Sequence, residues 1–141
     1  MGLVRIWGPA ALVAGIIFTL SSIPGNDYPS HPEIANIVAH FTEFAILAFL
    51  LAKAFRQTGV TTGTIDTILY SVVACLGYGF LDELHQFAIP NRVFDTMDIT
   101  VDALGALAGS VALVIYLRRT GGSDLNTDEK DNISSVEKGN R

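Results

Sequence analysis

The stretch Leu81-Asp82-Glu83-Leu84-His85-Gln86-Phe87-Ala88-Ile89-Pro90-Asn91-Arg92-Val93-Phe94-Asp95-Thr96-Met97-Asp98 decides how the chain is read. It opens at the end of one long apolar run and closes as another begins. Its eighteen residues hold four carboxylates, a histidine, a glutamine and an arginine. An ionisable side chain in lipid is costly and normally faces the interior of a helix bundle, where it finds a partner. A polar segment this dense between apolar runs therefore implies a place where several helices meet.

Working outward, the apolar run before the stretch reaches back to Ile65, and Pro90-Asn91 stops it. The run after it covers 98–117 and is closed by Arg118-Arg119. Upstream lie two further runs, 34–55 and 6–23. Each is about the twenty residues a membrane helix needs, which predicts an all-α integral membrane bundle of four transmembrane helices. The first run also resembles a signal peptide, with Arg5 before it and Ser21-Ser22 at its end. Its length and the lack of an A-x-A-like site favour a retained span. Pro9 is expected in the first turn of that span, where a missing N–H does no harm.

Composition agrees. Half of the 141 residues are hydrophobic, 16% are charged, and the mean hydropathy is +0.42. A soluble domain of this size could hardly hide so much apolar surface. The net charge of −5 and the absence of a basic stripe argue against a nucleic-acid partner. The single Cys75 excludes a disulfide within the chain and reads as inert packing. Residues 120–141 contain five of the fourteen acids and no apolar periodicity, as in a disordered acidic tail. The basic residues Arg5, Lys53, Arg56, Arg118 and Arg119 flank the N-terminus, the loop between the second and third runs, and the C-terminus. The positive-inside rule then predicts a multi-pass plasma-membrane protein with both termini cytoplasmic and the 81–98 stretch at the outer face.

Helical rise places the polar groups. His40 lies ~9 Å below the outer end of the second span, Asp82 ~10 Å below that of the third, and Asp102 ~6 Å below that of the fourth. Three helices thus bring polar side chains to similar depth. His40 and Glu43 share a face, as do Asp82, His85 and Gln86. Asp98 and Asp102, four residues apart, repel unless a cation or proton lies between them. Arg92 is the one strong cation in the outer loops and is the expected partner of Glu83, Asp95 or Asp98.

The segments His40-Phe41-x-x-Phe44, Asp82-Glu83-x-x-Gln86, Pro90-x-Arg92-x-x-Asp95-x-x-Asp98, and Gly105 with Gly109 resemble the VanZ-like family over about residues 36–112. That family often has Tyr where Phe44 stands and Asn where Asp102 stands. The resemblance implies a small multi-spanning membrane protein, and a link to susceptibility to the glycopeptide teicoplanin. His40, Glu43, Glu83, Gln86, Arg92, Asp95, Asp98 and Asp102 are the candidate ligand-binding residues, for an envelope lipid or a lipid-linked molecule. A membrane-embedded hydrolase or transferase is the second reading, with Glu83 or Asp82 as general base and Arg92 or His85 steadying negative charge. No serine or cysteine is expected beside a histidine at this level, which argues against a covalent nucleophile. A small transporter or scaffold subunit is the third reading, and a homo-oligomer fits any of them. His40, His85 and Asp98 have metal-ligand chemistry but no zinc spacing such as H-E-x-x-H, and neither a metal nor a cofactor is expected.

Overall fold

The computed structural model describes residues 2–25 and 33–139, with side chains placed for 2–25 and 34–121. Four helices form among them: α1 (Leu3–Ser21), α2 (Glu33–Gln57), α3 (Thr64–Phe87) and α4 (Thr96–Gly139). All four are long and apolar enough to cross a membrane, α4 through its part Thr96–Gly121. The acidic tail expected from Thr120 falls almost wholly outside the described side chains.

α2 and α3 form the centre. Each touches all three other helices, whereas α1 and α4 lie on opposite sides and do not meet among the described residues. α4 packs most closely on α2. The sequence permits this through Gly105 and Gly109. A Cβ at Gly105 would collide with the Phe41 carbonyl oxygen, and one at Gly109 with that of Ala45. The two glycines are one turn apart and so are the two carbonyls, so the backbones touch along a row, as small-xxx-small packing allows in lipid. The interior between the helices is filled by Ile17, Phe44, Leu47, Ala48, Cys75 and Ala106. Large apolar side chains such as Leu12, Val73 and Ile115 point outward, the arrangement expected of a surface that faces acyl chains.

Helix ends follow local chemistry. Gly59, at φ 73°, closes α2. The Val60 N–H bonds the Phe55 carbonyl at 3.0 Å and the Gly59 N–H that of Arg56 at 3.3 Å. This is the paired 6→1 and 5→2 pattern of a Schellman cap. Asp66 then opens α3 by accepting from the Gly63 N–H at 3.1 Å and the Thr62 N–H at 3.0 Å. α1 starts at Leu3, three residues earlier than expected, with the Arg5 N–H bonded to the Gly2 carbonyl at 2.9 Å. Arg5 looked like a flank but is itself helical, and Pro9 therefore sits inside the helix, not in its first turn. Its missing N–H leaves the Arg5 carbonyl without the usual i+4 donor, a defect that membrane helices tolerate. α3 ends at Phe87, two residues before the expected Ile89. The chain leaves it through 3₁₀-like bonds from Ala88 to His85 and Ile89 to Gln86, both 2.9 Å. Asn91, at φ 59°, turns the loop back toward the bundle.

Candidate functional site

One end of the bundle gathers the end of α1, the start of α2, the end of α3 and the start of α4. Asp82, Glu83, Gln86, His40 and Asp102 are all buried there. The apolar faces of the helices must point at lipid, so these residues have only one another and the loop backbone to satisfy them.

The first half joins α3 to α1 and to the loop before α4. Asp82 Oδ2 accepts from the Ser21 hydroxyl at 2.7 Å and from Gln86 Nε2 at 2.9 Å. Gln86 and Asp82 are i,i+4, so the helix itself aligns them. Arg92 donates to Gln86 Oε1 at 3.4 Å and to the Ile23 carbonyl at 3.3 Å. Gly25 N–H reaches the Pro90 carbonyl at 3.1 Å, so the α1 and α3 exits also meet through backbone. Glu83 Oε2 accepts from the Asp95 N–H at 2.8 Å. Asp95 in turn accepts from the Met97 N–H at 2.8 Å, which is how an N-cap satisfies the first turn of a helix.

The expected ion pair between Glu83 and Arg92 is therefore not the arrangement formed. Both residues lie at this end of the bundle, but loop carbonyls and N–H groups compete for them. Glu83 takes the backbone of Asp95, while Arg92 takes a carbonyl and an amide. Asp95, read as a ligand candidate, is exposed and starts α4.

The second half joins α2 to α4. The His40 ring lies between Asp102 and Asp98, with Nδ1 3.0 Å from Asp102 Oδ1 and Nε2 3.6 Å from Asp98 Oδ2. An ionised carboxylate only accepts, so opposite an ionised Asp102 the Nδ1 atom carries the hydrogen and the ring's orientation is fixed. Asn36 Nδ2 donates to Asp98 Oδ1 at 3.4 Å. Glu43 is half-buried one turn deeper, with no hydrogen bond among the described residues. The two halves meet at Gly79. A Cβ there would lie 2.9 Å from Asp102 Oδ2 and 3.2 Å from the Phe44 ring.

Two oxygens in this cluster have no partner among the described residues. Asp82 Oδ1 and Glu83 Oε1 are both buried and belong to consecutive residues of α3. Buried polar atoms are almost always bonded, so two such oxygens call for a donor beyond the described residues or for protons.

A model of the VanZ/LLP1 family matches residues 7–117, more than three quarters of the chain. The chain belongs to the VanZ/LLP1 family. Neither the curated proteins nor the solved structures yielded a significant match. The VanZ/LLP1 match spans most of α1, all of α2 and α3, and the apolar part of α4, so every residue of the polar cluster lies within it. With four spans and this family, the protein is a multi-pass membrane protein.

Ser21, Ser22 and Asn36 join this polar cluster, although nothing in the sequence alone placed them there. Ser21-Ser22 looked like small residues at a span end, yet their depth matches that of Asp82. Ser22 also overturns the expectation that no serine stands beside a histidine. Its Oγ is 3.0 Å from His85 Nε2, and the Phe18 ring stacks on His85 at 4.5 Å. The pair is not a nucleophile with its base, however. The Ser22 hydroxyl donates to the Phe18 carbonyl at 2.7 Å, and that carbonyl can only accept. The single hydroxyl hydrogen is thus used, so His85 Nε2–H is the donor and serine the acceptor, the reverse of general-base activation. Among the described residues no three His, Cys, Asp or Glu side chains converge as metal ligands. The His40 nitrogens point away from each other, each toward a different carboxylate, and so cannot share one ion with both.

Proposed function

We propose that this VanZ/LLP1 protein sits in the plasma membrane with its polar end outward and there binds the donor-rich headgroup of an envelope amphiphile. The headgroup chemistry is an ammonium or amide N–H, directed at Asp82 Oδ1 and Glu83 Oε1. The observation that carries this reading is that two buried carboxylate oxygens, on consecutive residues of α3, have no partner among the described residues. Gln86, Arg92 and Ser21 hold the pair in place. His40, Asp98 and Asp102 hold α4 against α2 alongside it, with Glu43 as a further acceptor. An effect on glycopeptide susceptibility is the cellular role the family resemblance supports.

The test uses Glu83→Gln. Glutamine keeps an oxygen for the Asp95 N–H and removes the charge whose second oxygen is orphaned. Melting of the purified variant in detergent is expected to stay within a few degrees of the parent. Binding of an ammonium-bearing amphiphile, and any change in teicoplanin susceptibility on expression, should be lost. A polar latch is the competing reading, favoured by the bond from Glu83 to the loop. It gains if binding and phenotype persist, or if Glu83→Gln melts far below the parent.

Orientation has its own check. In a Cys75→Ser background, cysteine at Asn91 should react with an impermeant thiol reagent in intact cells, and cysteine at Thr62 should not. Both positions are exposed, and they lie at opposite ends of α3. The reverse pattern would put the polar cluster inside.

A further inference from the structure

We infer that the opposite end of the bundle holds a second site, a basic seam between α2 and α4 that binds the phosphate of an anionic phospholipid. Two cavities adjoin there and share Arg56 and Leu117. The smaller, about 140 Å³, lies between Arg56, Arg118 and Thr64. The larger, about 460 Å³, runs from Lys53 and Arg56 to Phe49, Leu113 and Tyr116. Lys53, Arg56 and Arg118 are all exposed, at the level where cationic heads leave a span for the interface.

Among the described residues Asp66 is the acid at this end of the bundle, and it forms no ion pair with them. Asp66 Oδ2 is turned onto the Thr62 and Gly63 N–H groups, at 3.0 and 3.1 Å. Arg56 is held at its post by donating Nη1 to the Thr62 carbonyl, which leaves most of its five N–H donors for another acceptor. Arg56 and Arg118 line the smaller cavity and Lys53 and Arg56 the larger, so each opening carries a pair of cations suited to a phosphate oxyanion, with arginine offering the bidentate geometry.

The seam is also shaped for an acyl chain. Phe49 is one turn below Lys53, so the α2 wall passes from charge to apolar surface within ~6 Å, while α4 faces it with Leu117 and, one turn deeper, Leu113. A free anion would use the charged rim alone. A phospholipid uses rim and wall together, and basic pockets between membrane helices commonly hold such headgroups. None of these residues takes part in the polar cluster at the other end, so the proposal stands or falls apart from the reading given for that cluster.

The experiment titrates the full-length protein in neutral detergent with dioleoyl phosphatidylglycerol, dioleoyl phosphatidylcholine or inorganic phosphate. Retained lipid is read by native mass spectrometry, and melting is followed in parallel. Phosphatidylglycerol should bind at least about tenfold more tightly than phosphatidylcholine, with each cation contributing about fivefold. Lys53→Gln with Arg118→Gln should erase most of that preference. Both side chains are exposed, so the fold is expected to survive, and Lys53→Arg with Arg118→Lys should keep the preference. Equal retention of the two lipids would overturn the proposal, as would an unchanged preference in the neutral variant or its loss in the charge-conserving one. Protection by inorganic phosphate equal to that by phosphatidylglycerol would overturn the lipid assignment.

Discussion

Gly109→Leu should part α4 from α2 and leave little folded protein. The position has no room for even a Cβ, since that atom would fall on the Ala45 carbonyl. The obstacle is backbone, which cannot swing aside as a side chain can. Relief requires the helices to separate, and that also strips contacts from Phe44, Leu47 and Leu113. The expected loss is on the order of 3 kcal/mol or more, at the upper end for overpacking. Gly77→Ala is the matched control on a neighbouring helix. A Cβ at Gly77 meets nothing within 4 Å, so alanine should be neutral or raise stability by up to about 1 kcal/mol through helix propensity. Melting in detergent with size-exclusion recovery measures both. A stable, monodisperse Gly109→Leu would mean that the helices do not pack as described.

The second large effect is expected at His40. Asp102 has a side chain only 2% exposed and relies on His40 Nδ1. His40→Leu strands that carboxylate among Gly79, Phe44 and α2, and leaves Asp98 to repel it from four residues away. Removing one member of a buried pair typically costs about 3–5 kcal/mol. His40→Leu with Asp102→Leu should cost much less than the sum of the single changes, because no charge is left behind. Asp102→Asn should be mild, since the amide oxygen still accepts from Nδ1. A double-mutant cycle on melting decides the matter. Additive losses would show that His40 and Asp102 are not coupled.

The fold was legible because lipid leaves a chain few options. Runs of about twenty apolar residues have to be helices, and all four expected spans formed with ends shifted by a few residues. Gly105-x-x-x-Gly109 told of close packing, though not that α2 would be the partner. The polar cluster was legible in depth but not in pairing. Rise per residue gives the height of Asp82 or His40, whereas partner choice depends on how the helices are rotated and on where the loop backbone runs. That is why Glu83 was matched with Arg92 although it binds the Asp95 N–H, and why Ser21 was not matched with Asp82. Asp95 could have been read as a cap, because Asp-Thr-Met-Asp before an apolar run is a helix-start pattern. Ser22 and His85 could not, because the direction of their hydrogen bond depends on the Phe18 carbonyl.

The long reach of these contacts also sets a timetable for synthesis. Ser21 bonds a residue 61 positions later, and His40 one 62 positions later. At roughly 5–20 residues per second, His40 waits about 3–12 s for Asp102 to be made. The polar ends of α1 and α2 are thus made before their partners on α3 and α4. The nascent chain is therefore most exposed to membrane quality control before α3 and α4 arrive, and the last helix to enter closes the bundle.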